Sequence, residues 1–166
     1  MLPQLSYRVR QFFTSVLASL SAEEYSTVRQ ALLPREWVLF QTMNRTTQRH
    51  CFNVYRTLQA TGVGDPVLLK AALLHDVGKG KIGLWPRIAL VVLETASPNL
   101  LKWLSRSSPG GWRWGLCQNL QHEALGAQVL EQFGVQPEVI ALVRDHHQEP
   151  ADDQRLRAFR AADAVN

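Results

Sequence analysis

Asp65-Pro66-Val67-Leu68-Leu69-Lys70-Ala71-Ala72-Leu73-Leu74-His75-Asp76-Val77-Gly78-Lys79 is the stretch on which the fold turns. Asp65 offers an oxygen to the orphan N–H groups of a helix start, and Pro66 suits the first helical position because its φ is already helical. The run from Val67 to Leu74 is apolar nearly all round, so this helix has no wet face and should lie at the centre of the fold. It then delivers an imidazole and a carboxylate, His75 and Asp76, before Gly78 and Gly80 break it. Burying those two groups is costly unless they are paired or bound to a metal. The helix C-terminus carries partial negative charge and favours a cation there. A His–Asp hydrogen-bonded pair without a metal would satisfy the same constraint.

Working outward, the chain reads as helix nearly throughout. Leu5, Val9, Phe12, Phe13, Val16, Leu17 and Leu20 follow helical spacing. Ser21-Ala22-Glu23-Glu24 is a capping box that opens a helix to about Leu32, and Pro34 ends it. Another helix runs from about Thr46 to Thr61 and stops at Gly62. Downstream, Pro86 starts a helix to about Thr95, Ser97-Pro98 a short one to about Arg106, and Ser107-Ser108-Pro109-Gly110-Gly111 is a loop. A helix from about Gln121 carries Leu125, Val129, Leu130 and Phe133 and ends at Gly134. Pro137 opens the next, with Val139, Ile140 and Val143 inward, which closes at His146-His147. Asp152 or Asp153 caps a last helix with Leu156 and Phe159 inward. No alternating β pattern of useful length occurs, which predicts an all-α fold.

A length of 166 residues, 46% hydrophobic and 19% charged, suits one domain with a real core. The N-terminus lacks a basic stretch followed by an apolar run, and the longest apolar run, residues 88–93, is far short of the roughly 18 residues that span a bilayer. The expectation is a cytoplasmic protein without a transmembrane segment. Cys51 and Cys117 show no motif spacing and read as small buried hydrophobes. The net charge of +4 is uneven: residues 1–120 carry 14 Lys and Arg against 6 Asp and Glu, while residues 121–166 carry 4 against 8. A basic body suits anionic small molecules such as phosphate esters, and no stable nucleic-acid complex is expected. A solvated basic surface is the plain alternative.

All five histidines recur at or near the ends of apolar helical runs: His50, His75, His122 and the pair His146 and His147. Asp163 lies on the inward stripe of the last helix, where a buried carboxylate implies a cationic partner. Each has an ordinary reading alone: His50 as a satisfied core residue beside Asn53, Val54 and Thr57, Asp163 as the partner of an arginine. Together they describe a site for one or two divalent ions. Mixed nitrogen and oxygen ligands suit Mn, Fe, Ni, Co or Zn, and with a bridging carboxylate two ions about 3.5–4 Å apart are feasible.

The strings Arg49-His50, Ala71-Ala72-Leu73-Leu74-His75-Asp76-Val77-Gly78-Lys79, His122-Glu123-Ala124-Leu125-Gly126-Ala127, Asp145-His146-His147 and Ala162-Asp163-Ala164 resemble the HD-domain superfamily of metal-dependent phosphohydrolases. The resemblance implies a compact multi-helix fold with a metal-binding core over 46–166, an insertion at about 84–118, and an N-terminal helical extension over 1–45 like that of small bacterial HD proteins. It implies that His50, His75, Asp76 and Asp163 hold a first ion. Asp76 would then bridge to a second held by His122 and His146, with His147 as a further ligand or proton donor. Lys79 matches the position whose ammonium contacts substrate phosphate. The implied chemistry is water activation for hydrolysis of a phosphomonoester or phosphodiester, with a nucleotide among the candidate substrates. The extra histidines resemble the branch that includes HD-GYP cyclic-di-GMP phosphodiesterases. The Gly-Tyr-Pro loop of that branch is replaced by Gln148-Glu149-Pro150-Ala151-Asp152-Asp153, and Glu123 stands where proline is usual.

Two other functions fit the same residues. One is a di-iron oxygenase on an HD fold, and the other is a non-catalytic domain that binds a nucleotide or a partner. Arg49 points about 100° away from its neighbour His50 on a helix and reads as a surface or structural residue. Leu84-Trp85-Pro86-Arg87, Trp103 and Trp112-Arg113-Trp114 read as the core of the insertion, or as a lid over the metal site.

Overall fold

A computed structural model describes residues 19–79, 121–148 and 152–166. Ser19 and Leu20, the end of the helix expected at 5–20, are described and not helical; the rest of that helix, those expected at 86–95 and 97–106, the loop at 107–111, the tryptophan-bearing insertion and Cys117 lie outside the described residues. Seven α-helices and one 3₁₀ turn are described, with no strand among them: α1 (Ala22–Ala31), α2 (Pro34–Thr42), α3 (Arg45–Ala60), α4 (Pro66–Leu74), the 3₁₀ turn Val77–Lys79, α5 (His122–Gln132), α6 (Pro137–Asp145) and α7 (Gln154–Ala164). The fold is all-α, as the sequence predicts. No helix among the described residues is long and apolar enough to cross a membrane.

The expected start and stop signals operate at most helix ends. Ser21 accepts from the Glu24 N–H while Glu24 reaches back to the Ser21 N–H, so two orphan donors are satisfied at the start of α1. Asp65 accepts from the Val67 N–H at 2.9 Å, and Asp153 from the Arg155 N–H at 2.8 Å. Gly62 and Gly134 close α3 and α5 with φ of +84° and +63°, a conformation that favours glycine.

Pro34 requires a correction. It ends α1, but it also opens α2 as that helix's first residue, and Glu36 accepts from the Leu33 N–H at 2.8 Å. Proline is compatible with a first turn, so a break and a start share one residue. Glu36 is fully buried and takes the Lys70 ammonium at 3.1 Å. Lys70 is the lone charge in the apolar run of α4; it ties α2 to that helix.

Helix α4 is central. Ala71, Ala72, Leu73 and Leu74 are each 0% exposed, and full burial of a leucine contributes about 1.5–3 kcal/mol. Its main neighbours are α3 and α6, with α2 and α7 also in contact. The 3₁₀ turn that follows lies on α5, which packs in turn on α6. Helix α7 packs on α3, where the Asn166 amide donates to Thr57 Oγ1 at 2.8 Å.

The expectation that Gly78 breaks the helix requires a correction, because the glycine sits inside the 3₁₀ turn and serves a close contact instead. Helix α4 already ends at Leu74, and a Cβ on Gly78 would lie 2.1 Å from the His122 carbonyl oxygen and 2.5 Å from the Gly126 nitrogen. A Cβ on Gly126 would stand 3.3 Å from the Gly78 nitrogen. Two glycines thus let the turn after Asp76 rest directly on the first turn of α5, and this crossing sets how close His122 comes to Asp76.

Candidate metal centre

The residues of the site come from five segments. His50 projects from α3, His75 and Asp76 follow α4, His122 opens α5, His146 and His147 follow α6, and Asp163 lies near the end of α7. His75 and His146 are the C-caps of their helices, and each donates through Nδ1 to the carbonyl three residues back. His75 reaches Ala72 O at 2.9 Å, and His146 reaches Val143 O at 2.6 Å. A ring whose Nδ1–H is committed to a carbonyl presents its Nε2 lone pair inward, the tautomer a cation requires.

The inward nitrogens converge on carboxylate oxygen. His75 Nε2 lies 3.5 Å from Asp76 Oδ1, 3.6 Å from Asp163 Oδ1 and 3.2 Å from His50 Nε2. His50 Nε2 lies 3.0 Å from Asp163 Oδ1 and 3.9 Å from Asp76 Oδ2. On the other side His122 Nε2 lies 3.5 Å from Asp76 Oδ1. Asp76 therefore stands between two histidine groups. Three sets of donors each hold one atom per residue within 4.8 Å of the others: His50, His75 and Asp76; His75, His146 and Asp163; His122, His146 and His147. Phe159 backs them with its ring 5.5 Å from those of both His75 and His146, which keeps that side apolar.

The electrostatics match the geometry. Burial pushes the His75 imidazole down to about 4, with His50 helping and Asp76 opposing. Burial also pushes His146 down to about 3, with His75 and His147 adding to it. Both rings are neutral near pH 7. Burial pulls the two carboxyls upward, but Lys79 with His75 for Asp76, and His50 with His75 for Asp163, outweigh it and hold both well below the ordinary carboxylate range. Neutral imidazoles facing ionised carboxylates form a donor set for a divalent cation.

The unmet demand is specific. Asp76 Oδ1 and His146 Nε2 are buried with no hydrogen-bond partner among the described residues. A carboxylate oxygen and an imidazole lone pair left so in a core are expensive, and a bound cation would satisfy both. The donor set therefore fits a metal ion.

The remaining sequence candidates fall as follows. Lys79 places its ammonium 2.7 Å from Asp76 Oδ2. His147 is the most open of the group, its side chain 49% exposed, with its ring 4.1 Å from that of His146. Arg49 turns away from the site, as expected: it holds Glu24 through two nitrogens at 2.7 and 2.6 Å and draws that carboxyl down to about 2. Asp163 meets imidazoles, not an arginine. Cys51 is a buried thiol whose titration burial pushes up, in keeping with a small hydrophobe. Glu123, which the sequence marks only as a departure from proline, brings its oxygens 3.7 Å from His122 Nδ1 and 3.9 Å from His147 Nε2.

These values predict an acid-labile metal-free protein. A neutral imidazole in the fold becomes a proton acceptor near 6.5 once unfolded. Its contribution to stability is fully present above that pH and is lost as pH falls from about 6.5 toward the folded values of about 4 for His75 and about 3 for His146. Melting temperature of metal-free protein against pH checks this. A flat profile between pH 6.5 and 4 would contradict it.

A family model described as HD domain matches residues 47–166. The chain belongs to the HD-domain superfamily of metal-dependent phosphohydrolases. Searches of curated proteins and of solved structures returned no significant match. Membership brings with it metal-dependent hydrolase chemistry as a class and divalent metal as the cofactor class.

Proposed function

We propose that this protein is a metal-dependent phosphohydrolase that cleaves a small phosphate ester or nucleotide at the His/Asp centre. Asp76 Oδ1 carries the reading: it is buried, has no hydrogen-bond partner among the described residues, and stands 3.5 Å from Nε2 of both His75 and His122. In this reading His50, His75, Asp76 and Asp163 would hold a first ion, and Asp76, His122 and His146 would hold a second, with His147 beside it. A divalent cation bound there would bring the pKa of a water toward about 7 and draw charge from a phosphoryl oxygen.

The chain's own groups supply the rest. The carbonyls of Ala72 and Val143 fix the tautomers of His75 and His146, so those rings need no reorganisation on loading. Lys79 sits on a flexible stem with its ammonium against Asp76; with a cation beside that carboxylate, the ammonium is available to a substrate phosphate oxygen. His147, on the open side, would give a proton to the departing oxygen. Phe159 excludes water from behind. The core over 46–166, with its insertion at about 84–118, would carry the chemistry. The extension over 1–45 would brace it through contacts such as Arg49 with Glu24. The basic balance of residues 1–120 suits an anionic substrate, and we place the protein in the cytoplasm.

The test is a panel of phosphomonoesters, phosphodiesters and nucleotides assayed with Mn, Fe, Ni, Co and Zn. The expected result is hydrolysis of at least one compound that requires added metal and stops with chelator. No hydrolysis with any metal, or oxygen consumption in place of hydrolysis by the iron-loaded protein, would overturn the reading.

A further inference from the structure

Two of the imidazoles that follow helices are steered by backbone carbonyls three residues back. His122 and His147 are placed differently. His122 is the first residue of α5 and His147 lies just beyond the end of α6. One carboxylate lies against both: Glu123 Oε2 is 3.7 Å from His122 Nδ1 and Glu123 Oε1 is 3.9 Å from His147 Nε2. We propose that Glu123 is the positioning residue for the second ion, one carboxylate that orients His122 and His147 together. The proposal rests on the metal-centre reading above.

The ring chemistry sets the direction. His122 aims Nε2 at Asp76 Oδ1, so its Nδ1 is the nitrogen that faces Glu123. Both separations are longer than a direct hydrogen bond, so Glu123 acts as the negative charge that both rings face; beside His122 it favours the proton on Nδ1 and leaves Nε2 as the lone pair toward Asp76. The second oxygen faces His147 Nε2, so the same charge favours a proton on that nitrogen. Glu123 also sits in the first turn of α5, where its charge is favourable to the helix dipole, so the residue belongs there whether or not the site is loaded. It lies on the His122 side of Asp76 and touches none of His50, His75 and Asp163 in the contacts above. Its loss should therefore separate the two ions.

The experiment is stepwise Mn²⁺ titration by calorimetry of the full chain, wild type against Glu123→Ala and Glu123→Gln. Melting temperatures of the metal-free proteins and visible spectra of the Co²⁺-loaded proteins are recorded alongside. Glu123→Ala is expected to weaken the second ion by about 10–100-fold, to leave the first ion's affinity as in wild type, and to lower the metal-free melting temperature by no more than about 4 °C, the loss of one first-turn charge. The Co²⁺ spectrum should change only in the part that appears with the second equivalent, and Glu123→Gln, which keeps an acceptor oxygen, should recover part of the loss. Equal stepwise affinities in wild type and Glu123→Ala would overturn the role. So would equal weakening of both ions together with a metal-free melting temperature lowered by about 10 °C or more, which marks a general structural defect. A wild type that takes one ion only would overturn it too and leave the metal-centre reading standing. A wild type that takes none would remove that reading itself.

Discussion

Asp76→Asn is expected to lower metal-dependent phosphoester turnover by about 10³-fold or more, because it removes the buried charge that stands between His75 and His122. The substitution keeps the shape of the side chain, so the hydrophobic core is undisturbed. It leaves Lys79, whose ammonium is 2.7 Å from Asp76 Oδ2, facing a neutral amide. The same change should erase stabilisation by metal. A ligand at about 100 times its Kd stabilises a fold by about 2.7 kcal/mol, so wild-type protein should melt higher with saturating Mn²⁺. Asp76→Asn should melt at the same temperature with and without it. Turnover and melting together separate a lost site from a damaged fold. Full metal-induced stabilisation in the variant would show that Asp76 is not where the ion binds.

Gly78→Ala is the second large effect, and it acts through backbone. The added methyl would lie 2.1 Å from the His122 carbonyl oxygen and 2.5 Å from the Gly126 nitrogen, two atoms fixed in a helix start. Neither is the far end of a flexible side chain, so α5 or the turn after Asp76 must move. The expected cost is about 3 kcal/mol, at the upper end for overpacking. In a chain of this size that lowers the melting temperature by roughly 6–12 °C. Because the moving element carries His122, the second ion should weaken more than the first. A variant with wild-type melting temperature and wild-type affinity for both ions would refute this account of the crossing.

The sequence made the helices legible where local chemistry sets both ends. Asp65-Pro66, the Ser21 capping box, Gly62 and Gly134 mark boundaries by rules that need no tertiary partner. Pro34 misled because proline ends one helix and begins another by the same fixed φ, and the Glu36 side chain that completes the new start looks like any exposed glutamate in sequence. The partner of Lys70 was hidden for a related reason: an ion pair spanning 34 residues has no periodic signature. Gly78 read as a helix breaker, yet the helix ends four residues earlier at Leu74; its role is a contact, illegible because the close approach depends on Gly126, nearly fifty positions later in the chain.

The candidate site was read from recurrence: histidines placed after apolar helices, with an aspartate on the inward face of the last one. What recurrence could not convey is how the rings are aimed. The carbonyls of Ala72 and Val143 that hold His75 and His146 belong to every helix end and carry no residue-type signal. Glu123 was visible as a departure from proline at that position. Its proximity to His147 requires α5 and α6 to pack side by side, which only the fold reveals.

The most direct test of the central claim is anomalous diffraction at the metal edge from crystals of the protein loaded with Mn²⁺. The expected result is a peak within about 2.0–2.3 Å of donor atoms from His50, His75, Asp76 and Asp163, with a second, where present, beside Asp76, His122 and His146. Anomalous density elsewhere on the molecule, with none between those side chains, would contradict it.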